Sequence, residues 1–140
     1  MTHPVRAWAR RHGDGRERGA AAVEFALILP VLLLIVFGII NFGFMLSARQ
    51  AVSQAAAEGA RAAAVTTGDE AAKDTAGTTA MQSALATQGE TCAGNTCDVT
   101  FVDCDGERCA EAEVRIPYDW LIPMPFDAPT LNYTASARVS

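Results

Sequence analysis

A predominantly apolar stretch without a charged residue, residues 25–46 and here named the uncharged run, most constrains how the chain can fold. It contains 22 residues and no Asp, Glu, Lys or Arg. As an α-helix rising about 1.5 Å per residue it would be roughly 33 Å long, enough to cross the apolar core of a bilayer. We therefore predict one transmembrane helix. An ordinary secretory signal peptide is the alternative, although its apolar region is usually only about 7–15 residues long.

Charge is distributed unevenly on the two sides of this run. Residues 1–19 carry five Arg against two acidic side chains, a net charge of +3, whereas residues 20–140 carry a net charge of −8. Positively charged segments beside a membrane helix remain in the cytoplasm. The sequence thus predicts a single-pass protein of the cytoplasmic (inner) membrane with a cytoplasmic N-terminus and an extracytoplasmic C-terminal domain. Because the body is acidic, no nucleic acid is expected as a partner.

Two helices are predicted from the spacing of apolar and polar residues. The first should begin near Ala20 and continue to about Val65, since polar residues recur at three- and four-residue steps beyond the uncharged run, opposite a face made mostly of alanine. Thr67 and Glu70 resemble a capping box at the start of a second helix, over about residues 69–87.

The last third of the chain has the periodicity of strands. Apolar and polar residues alternate in three segments, which predicts half-buried strands of a small antiparallel sheet. Residues 105–108 form a plausible hairpin loop between the first two strands. Residues 117–129 hold four of the six prolines and should form an irregular crossover before the third. The three segments are 98–101, 111–116 and 131–139.

The expected fold class is α+β, in three parts. Residues 1–19 form a cytoplasmic leader, expected to be irregular. Residues 20–66 form the N-terminal helix, with the transmembrane part at 25–46. Residues 67–140 form a small extracytoplasmic domain with the second, shorter helix and the sheet.

Residues 19–25, Gly-Ala-Ala-Ala-Val-Glu-Phe, lead directly into the apolar helix. This motif resembles the cleavage motif of type IV prepilins, and the chain is similar to the TadE-like minor pilins (pseudopilins) of tight-adherence (Flp) pilus systems. The resemblance implies that a membrane peptidase cuts between Gly19 and Ala20. It also implies that Glu24 and Phe25 serve assembly, with the Glu24 carboxylate meeting the Ala20 amine of a neighbouring subunit.

The same resemblance implies a non-enzymatic role in assembling a tight-adherence pilus or a related secretion apparatus. The implied partners are the prepilin peptidase, the major pilin and other minor pilins, the membrane assembly platform and the lipid bilayer. Because His3 and His12 both lie in the leader, a processed chain would lack the histidine of Ser-His-Asp and Cys-His catalysis. No cofactor, metal or small-molecule substrate is expected. The alternative is an unprocessed single-pass anchor that displays a small extracytoplasmic binding module.

The four cysteines fall in the part of the chain predicted to lie in an oxidising compartment, where pairing is favoured. Four cysteines allow three pairings. Bridges between Cys92 and Cys97, and between Cys104 and Cys109, are favoured, the second across the mouth of the predicted hairpin. A four-cysteine zinc site is the alternative.

The proline-rich crossover also carries large apolar side chains. In one interpretation they cover the small core, and in the other they form a partner surface. The residues concerned are Tyr118, Trp120, Met124 and Phe126.

Overall fold

The computed structural model of the chain describes residues 14–94 and 96–139. The fold is α+β, as the sequence predicted, with a first compact unit that ends at Ile39 and a second that begins at Ile40. The elements in chain order are α1 (Asp14–Val65), α2 (Glu70–Ala86), β1 (Cys97–Cys104), β2 (Glu107–Pro117) and β3 (Thr130–Arg138).

Helix α1 begins earlier than the sequence predicted. A start near Ala20 was expected, with an irregular segment before it, but the helix already includes Asp14. An acidic residue at a helix N-terminus is favourable, and residues 16–18 are good helix formers. The helix continues through Gly19, because an interior glycine costs only about 0.5–1 kcal/mol. The rest of the predicted leader, residues 1–13, lies outside the described residues.

The first unit is a helical segment with apolar side chains on its surface. Large side chains from Val23 to Ile39 are exposed, Leu27 to 73% and Leu34 to 72%. A helix that is apolar on all sides suits lipid rather than water. By length and composition, Gly19–Val65 can cross a membrane. It is therefore a candidate membrane anchor, consistent with a single-pass membrane protein.

The core of the second unit lies between α1, α2 and the sheet. The contribution of α1 is mostly alanine, which confirms the predicted alanine face, whereas the larger side chains come from α2 and the strands. Small side chains on α1 let its neighbours approach closely. The buried cluster consists of Val52, Ala55, Ala56, Ala60, Ala63 and Ala64 from α1, Met81 and Leu85 from α2, and Val99, Ala110, Ala112, Val114, Ile116 and Leu131 from the sheet.

Two glycines allow α1 and α2 to come together. A Cβ on Gly77 would lie 2.8 Å from Cγ2 of Val99 and 3.1 Å from the carbonyl oxygen of Gly59. A Cβ on Gly59 would overlap the side chain of Met81. Both positions therefore require a residue without a side chain, although helix propensity alone would favour alanine.

Helix α2 is capped by Asp69 and not, as predicted, by Thr67. The Asp69 side-chain Oδ1 accepts a hydrogen bond from the backbone N–H of Ala72, at 2.9 Å. Gly68 adopts a φ of 128°, which turns the chain between Thr67 and the first helical residue. Asp69 is therefore the residue placed to cap the free N–H groups of the first turn.

The sheet has the order β1-β2-β3, with both pairs antiparallel. Cys104 pairs with Glu107, so the hairpin turn contains only Asp105 and Gly106, two residues fewer than predicted. Both have positive φ, 56° and 82°, as in the two-residue turns whose twist matches that of the strands. Residues 118–129, here named the crossover loop, connect β2 to β3 at the other end of the sheet.

Replacing Gly77 with alanine tests the close approach of the two helices. We expect Gly77→Ala to lower the free energy of unfolding by about 1–3 kcal/mol, as overpacking usually does. Val99 is β-branched and stiff, and the other two neighbours are the Cβ of Ala63, at 3.1 Å, and backbone, so none of them moves away cheaply. The measurement is thermal unfolding of the full chain in detergent, followed by circular dichroism.

The matched control is Gly43→Ala, because a Cβ at Gly43 meets no atom within 4 Å. This variant should be as stable as the original chain or slightly more stable, since alanine favours helix formation. A Gly77→Ala chain that unfolds at the same temperature as the Gly43→Ala chain would contradict the packing described above.

Candidate functional site

The predicted processing position lies on the surface of α1. Gly19 and Ala20 are exposed, and a Cβ added to Gly19 meets no atom within 4 Å. Glycine weakens a helix interior locally, by roughly 0.5–1 kcal/mol relative to alanine. The peptide bond after Gly19 is therefore accessible and lies at a point where the helix opens more easily.

Glu24 and Phe25 also lie on this surface, directly before the long uncharged run. Among the residues that the structure describes from Gly19 onward, the ion pairs are formed by residues other than Glu24. Phe25 is 61% exposed, and the Glu24 side chain is exposed beside it. A carboxylate beside lipid-facing apolar surface is costly unless it has a cationic partner. Its exposure allows an amine of another molecule to reach it.

The four cysteines lie in two pairs at the two ends of β1. Cys92 and Cys97 are bridged, with Cα atoms 5.4 Å apart, and Cys104 and Cys109 are bridged, with Cα atoms 6.0 Å apart. This is the pairing that the sequence favoured; its formation in the cell stays a prediction. The ends of an eight-residue strand are about 23 Å apart. The two pairs therefore cannot share one zinc ion, whose sulfur ligands lie about 2.3 Å from the metal.

The second bridge closes the hairpin, and the first ties the segment after α2 to the start of β1. The backbone N–H of Cys92 donates to Oε1 of Gln82 on α2, at 2.8 Å, which fixes this segment further. Across residues 14–94 and 96–139, no group of three or more His, Cys, Asp or Glu residues is placed to hold a metal ion.

The crossover loop is a compact loop packed by its own side chains. The backbone N–H of Tyr118 donates to the carbonyl oxygen of Pro129, at 3.1 Å, which closes its base. The Trp120 ring contacts the rings of Tyr118 and Phe126 edge-to-face, with centroids 5.5 and 5.3 Å apart. Trp120 Nε1 donates to the carbonyl oxygen of Phe126, at 3.2 Å. These features are those of an Ω-loop, a type of loop that is frequently functional.

Some apolar side chains of this loop cover the core, as in the first interpretation given above, and others are exposed, as in the second. Tyr118 packs against the core and is partly buried. Trp120 and Met124 are half-buried, whereas Phe126 is 55% exposed. Leu121, which was not among the residues predicted from the sequence, is 62% exposed. Its signal was present, because Leu121 lies in a short uncharged run of apolar residues.

The residue that holds the crossover loop was also missed. The Asn41 side chain on α1 is only 1% exposed. Its Nδ2 donates to the carbonyl oxygen of Ile122 at 3.0 Å, and its Oδ1 accepts from the backbone N–H of Ile122 at 3.1 Å. The signal in the sequence was a polar residue within the uncharged run. Asn41 thus connects the helix to a loop 81 residues away.

The part of the chain that carries the processing motif also matches a known family. Residues 19–61 match the family described as TadE-like protein. Over this region the chain is similar to the TadE-like family. The match begins at Gly19, covers Glu24, Phe25 and Asn41, and ends within α1. It confirms the resemblance stated from the motif. Neither the curated proteins nor the solved structures compared with the chain gave a match.

The TadE-like match suggests involvement in tight-adherence pilus systems, and hence partners drawn from such a system. The TadE-like family is a structural, pilus-associated family rather than one known for catalysis. The matched region includes the candidate membrane anchor and the start of the alanine face. The α2 helix and the sheet lie beyond it.

The cysteine pairing can be checked chemically on the membrane-extracted chain. Alkylation without reductant should modify none of the four thiols, and alkylation after reduction should modify all of them. Cleavage before Asp98 and Asp103 separates Cys92 and Cys97 from the other two cysteines. Mass spectrometry should then find an internal bridge in the first fragment, and a separate bridge between Cys104 and Cys109. A fragment containing Cys92 that stays linked to Cys104 or Cys109 would contradict the pairing.

Proposed function

We propose that this chain is a minor pilin (pseudopilin) that acts in assembling a tight-adherence pilus or a related secretion apparatus. The observation that carries the proposal is the TadE-like match over residues 19–61, which begins at the glycine of the cleavage motif. An exposed Glu24 at the start of an apolar helix supports it, because this arrangement serves association between helices better than it serves a buried core.

Insertion into the cytoplasmic membrane is the first step of this role. The apolar surface of α1 supplies the free energy for insertion, and the arginines of the leader keep the N-terminus in the cytoplasm. The second unit then lies on the extracytoplasmic side, where its two cysteine pairs are stable as disulfides.

Processing is the second step. A prepilin peptidase hydrolyses the amide bond between Gly19 and Ala20, which leaves a carboxylate on Gly19 and a free α-amine on Ala20. The leader with its five arginines is removed. A new cationic amine therefore appears four residues from the Glu24 carboxylate, at the boundary of the apolar run.

Association with other subunits is the third step. The Ala20 amine of one subunit and the Glu24 carboxylate of the next neutralise each other, where an unpaired charge is costly. The large apolar side chains of the first unit, Phe25 among them, provide the surface for packing against the major pilin and other minor pilins. The membrane assembly platform is the remaining partner of this step.

Cleavage is tested by N-terminal sequencing of the protein extracted from membranes. We expect a mature chain that begins at Ala20, and an uncut precursor for Gly19→Val. Gly38→Val is the matched control, since a Cβ meets no atom within 4 Å at either glycine. The control should be processed normally. A mature protein that begins at Met1, or normal processing of Gly19→Val, would argue for an unprocessed anchor.

The role of Glu24 is tested with variants that separate charge from size. Glu24→Gln and Glu24→Ala should insert and be cleaved as before but should lose crosslinking to the major pilin and reduce pilus number. The matched control is Glu58→Gln, an exposed carboxylate of the same helix that lies outside the uncharged run. It should assemble normally. Full piliation with Glu24→Ala as the only copy would make an anchored binding module the better interpretation.

A further inference from the structure

We propose that the crossover loop, residues 118–129, inserts into the extracytoplasmic leaflet of the membrane, at the boundary between lipid headgroups and acyl chains. The loop would thus be a second, shallow membrane contact beside the transmembrane helix. The inference rests on the membrane-spanning part of the proposed function and is independent of any role in a pilus.

The crossover loop is attached near the end of the uncharged run of α1. Ile122 is held by Asn41, which lies five residues before Leu46, the end of the uncharged run. At about 1.5 Å per residue, the attachment point lies roughly 7 Å inside that end. Interfacial segments bury their apolar face by about 5–10 Å. The loop is therefore fixed at the depth that such segments occupy.

Several polar backbone groups of the loop have partners within the chain. Lipid tolerates an irregular backbone only where its N–H and C=O groups have partners. Both groups of Ile122 are paired with Asn41, and the carbonyl oxygen of Phe126 is paired with Trp120. Pro123 and Pro125 have no N–H to satisfy. The pairing with Ile122 also satisfies the amide of Asn41, which would otherwise be a costly polar group within the apolar run.

The exposed side chains of the loop suit the interface between membrane and water. Residues 120–126 are Trp-Leu-Ile-Pro-Met-Pro-Phe, without a charge, and Leu121 and Phe126 are the most exposed of the large ones. Tryptophan and tyrosine concentrate at the interface between membrane and water. The exposed acidic residues Asp119 and Asp127 flank the run, and they limit insertion to a shallow depth.

Within the second unit, the loop lies beside apolar residues of α1. At the crossover end of the sheet, Ile116 and Leu131 line a cavity together with Phe44 of α1 and Leu121. Phe44 is itself 54% exposed and belongs to the uncharged run. The exposed apolar surface of the loop therefore continues onto the part of α1 expected to meet lipid.

The opposite end of the sheet has a different character. Arg108, beside the hairpin turn, forms an ion pair with Glu70 at the start of α2. Along β2, this end lies about 30 Å from Pro117, where the crossover loop begins. The polar hairpin thus points to the aqueous side when the crossover loop contacts lipid. This polarity favours a membrane surface over a protein partner.

Tryptophan fluorescence provides the test, because the chain has only Trp8 and Trp120. The full chain with Trp8→Phe is reconstituted in phosphatidylcholine vesicles, and Trp120 emission is measured with lipids brominated near the top of the acyl chains. We expect the emission of Trp120 to fall about twofold, because a residue buried by about 5–10 Å lies at the level of these bromines. Iodide in the aqueous phase should quench little.

Three further variants make the result specific. In a chain that also carries Trp8→Phe and Trp120→Phe, Val102→Trp places the single tryptophan on β1, towards the hairpin. Iodide should quench the emission of this tryptophan, and brominated lipid should not. With Trp120 retained, Asn41→Leu removes the partner of Ile122 and should reduce quenching by lipid. Gln50→Leu, an exposed polar residue of the same helix, is its matched control and should leave quenching unchanged.

Several outcomes would overturn the inference. If the chain floats with vesicles and resists carbonate extraction, but Trp120 is quenched by iodide and not by lipid, the anchor stands and the insertion of the loop is wrong. If shielding from iodide appears only at high protein-to-lipid ratio, a second copy covers the loop. If brominated lipid quenches Trp120 as strongly in the Asn41→Leu chain as in the Gln50→Leu chain, Asn41 does not set the depth of the loop. A chain that does not float overturns the membrane span as well.

Discussion

Helix α1 carries two different apolar surfaces along its length, and the rest of the fold depends on the second of them. Up to Leu46, α1 exposes large apolar side chains, which lipid accommodates but water does not. After Ala48 its apolar residues are small, so that protein can pack closely against it. The three-stranded sheet and α2 bury their apolar residues in one cluster with α1. The alanine face of α1 supplies the surface on which both are built.

The sequence predicted the elements well because each has a strong local period. A long uncharged run, an alanine-rich amphipathic segment and three alternating segments are visible without tertiary information. Their ends were predicted less accurately. Thr67 and Asp69 are both good capping residues, and only the turn at Gly68 decides between them. The hairpin turn is shorter than expected because Cys104 and Glu107 continue the strand pairing.

In the candidate site, the sequence indicated the features formed by residues close together in the chain, but not the contact between distant residues. The motif from Gly19 to Phe25 is contiguous, so the sequence alone indicated it. The cysteine partners lie five residues apart and were likewise within reach of sequence reasoning. The pairing of Asn41 with Ile122 joins residues 81 positions apart, and only the fold brings them together. A polar side chain in an apolar run was the single hint, because such a residue requires a partner.

The short spans of the two bridges have a consequence for how the disulfides form. Cys92 and Cys97, and likewise Cys104 and Cys109, are five residues apart, whereas each alternative pairing closes two larger loops. Closing a small loop costs less entropy than closing a large one. In an unfolded chain that meets an oxidant, each cysteine therefore encounters its observed partner more often than any other cysteine.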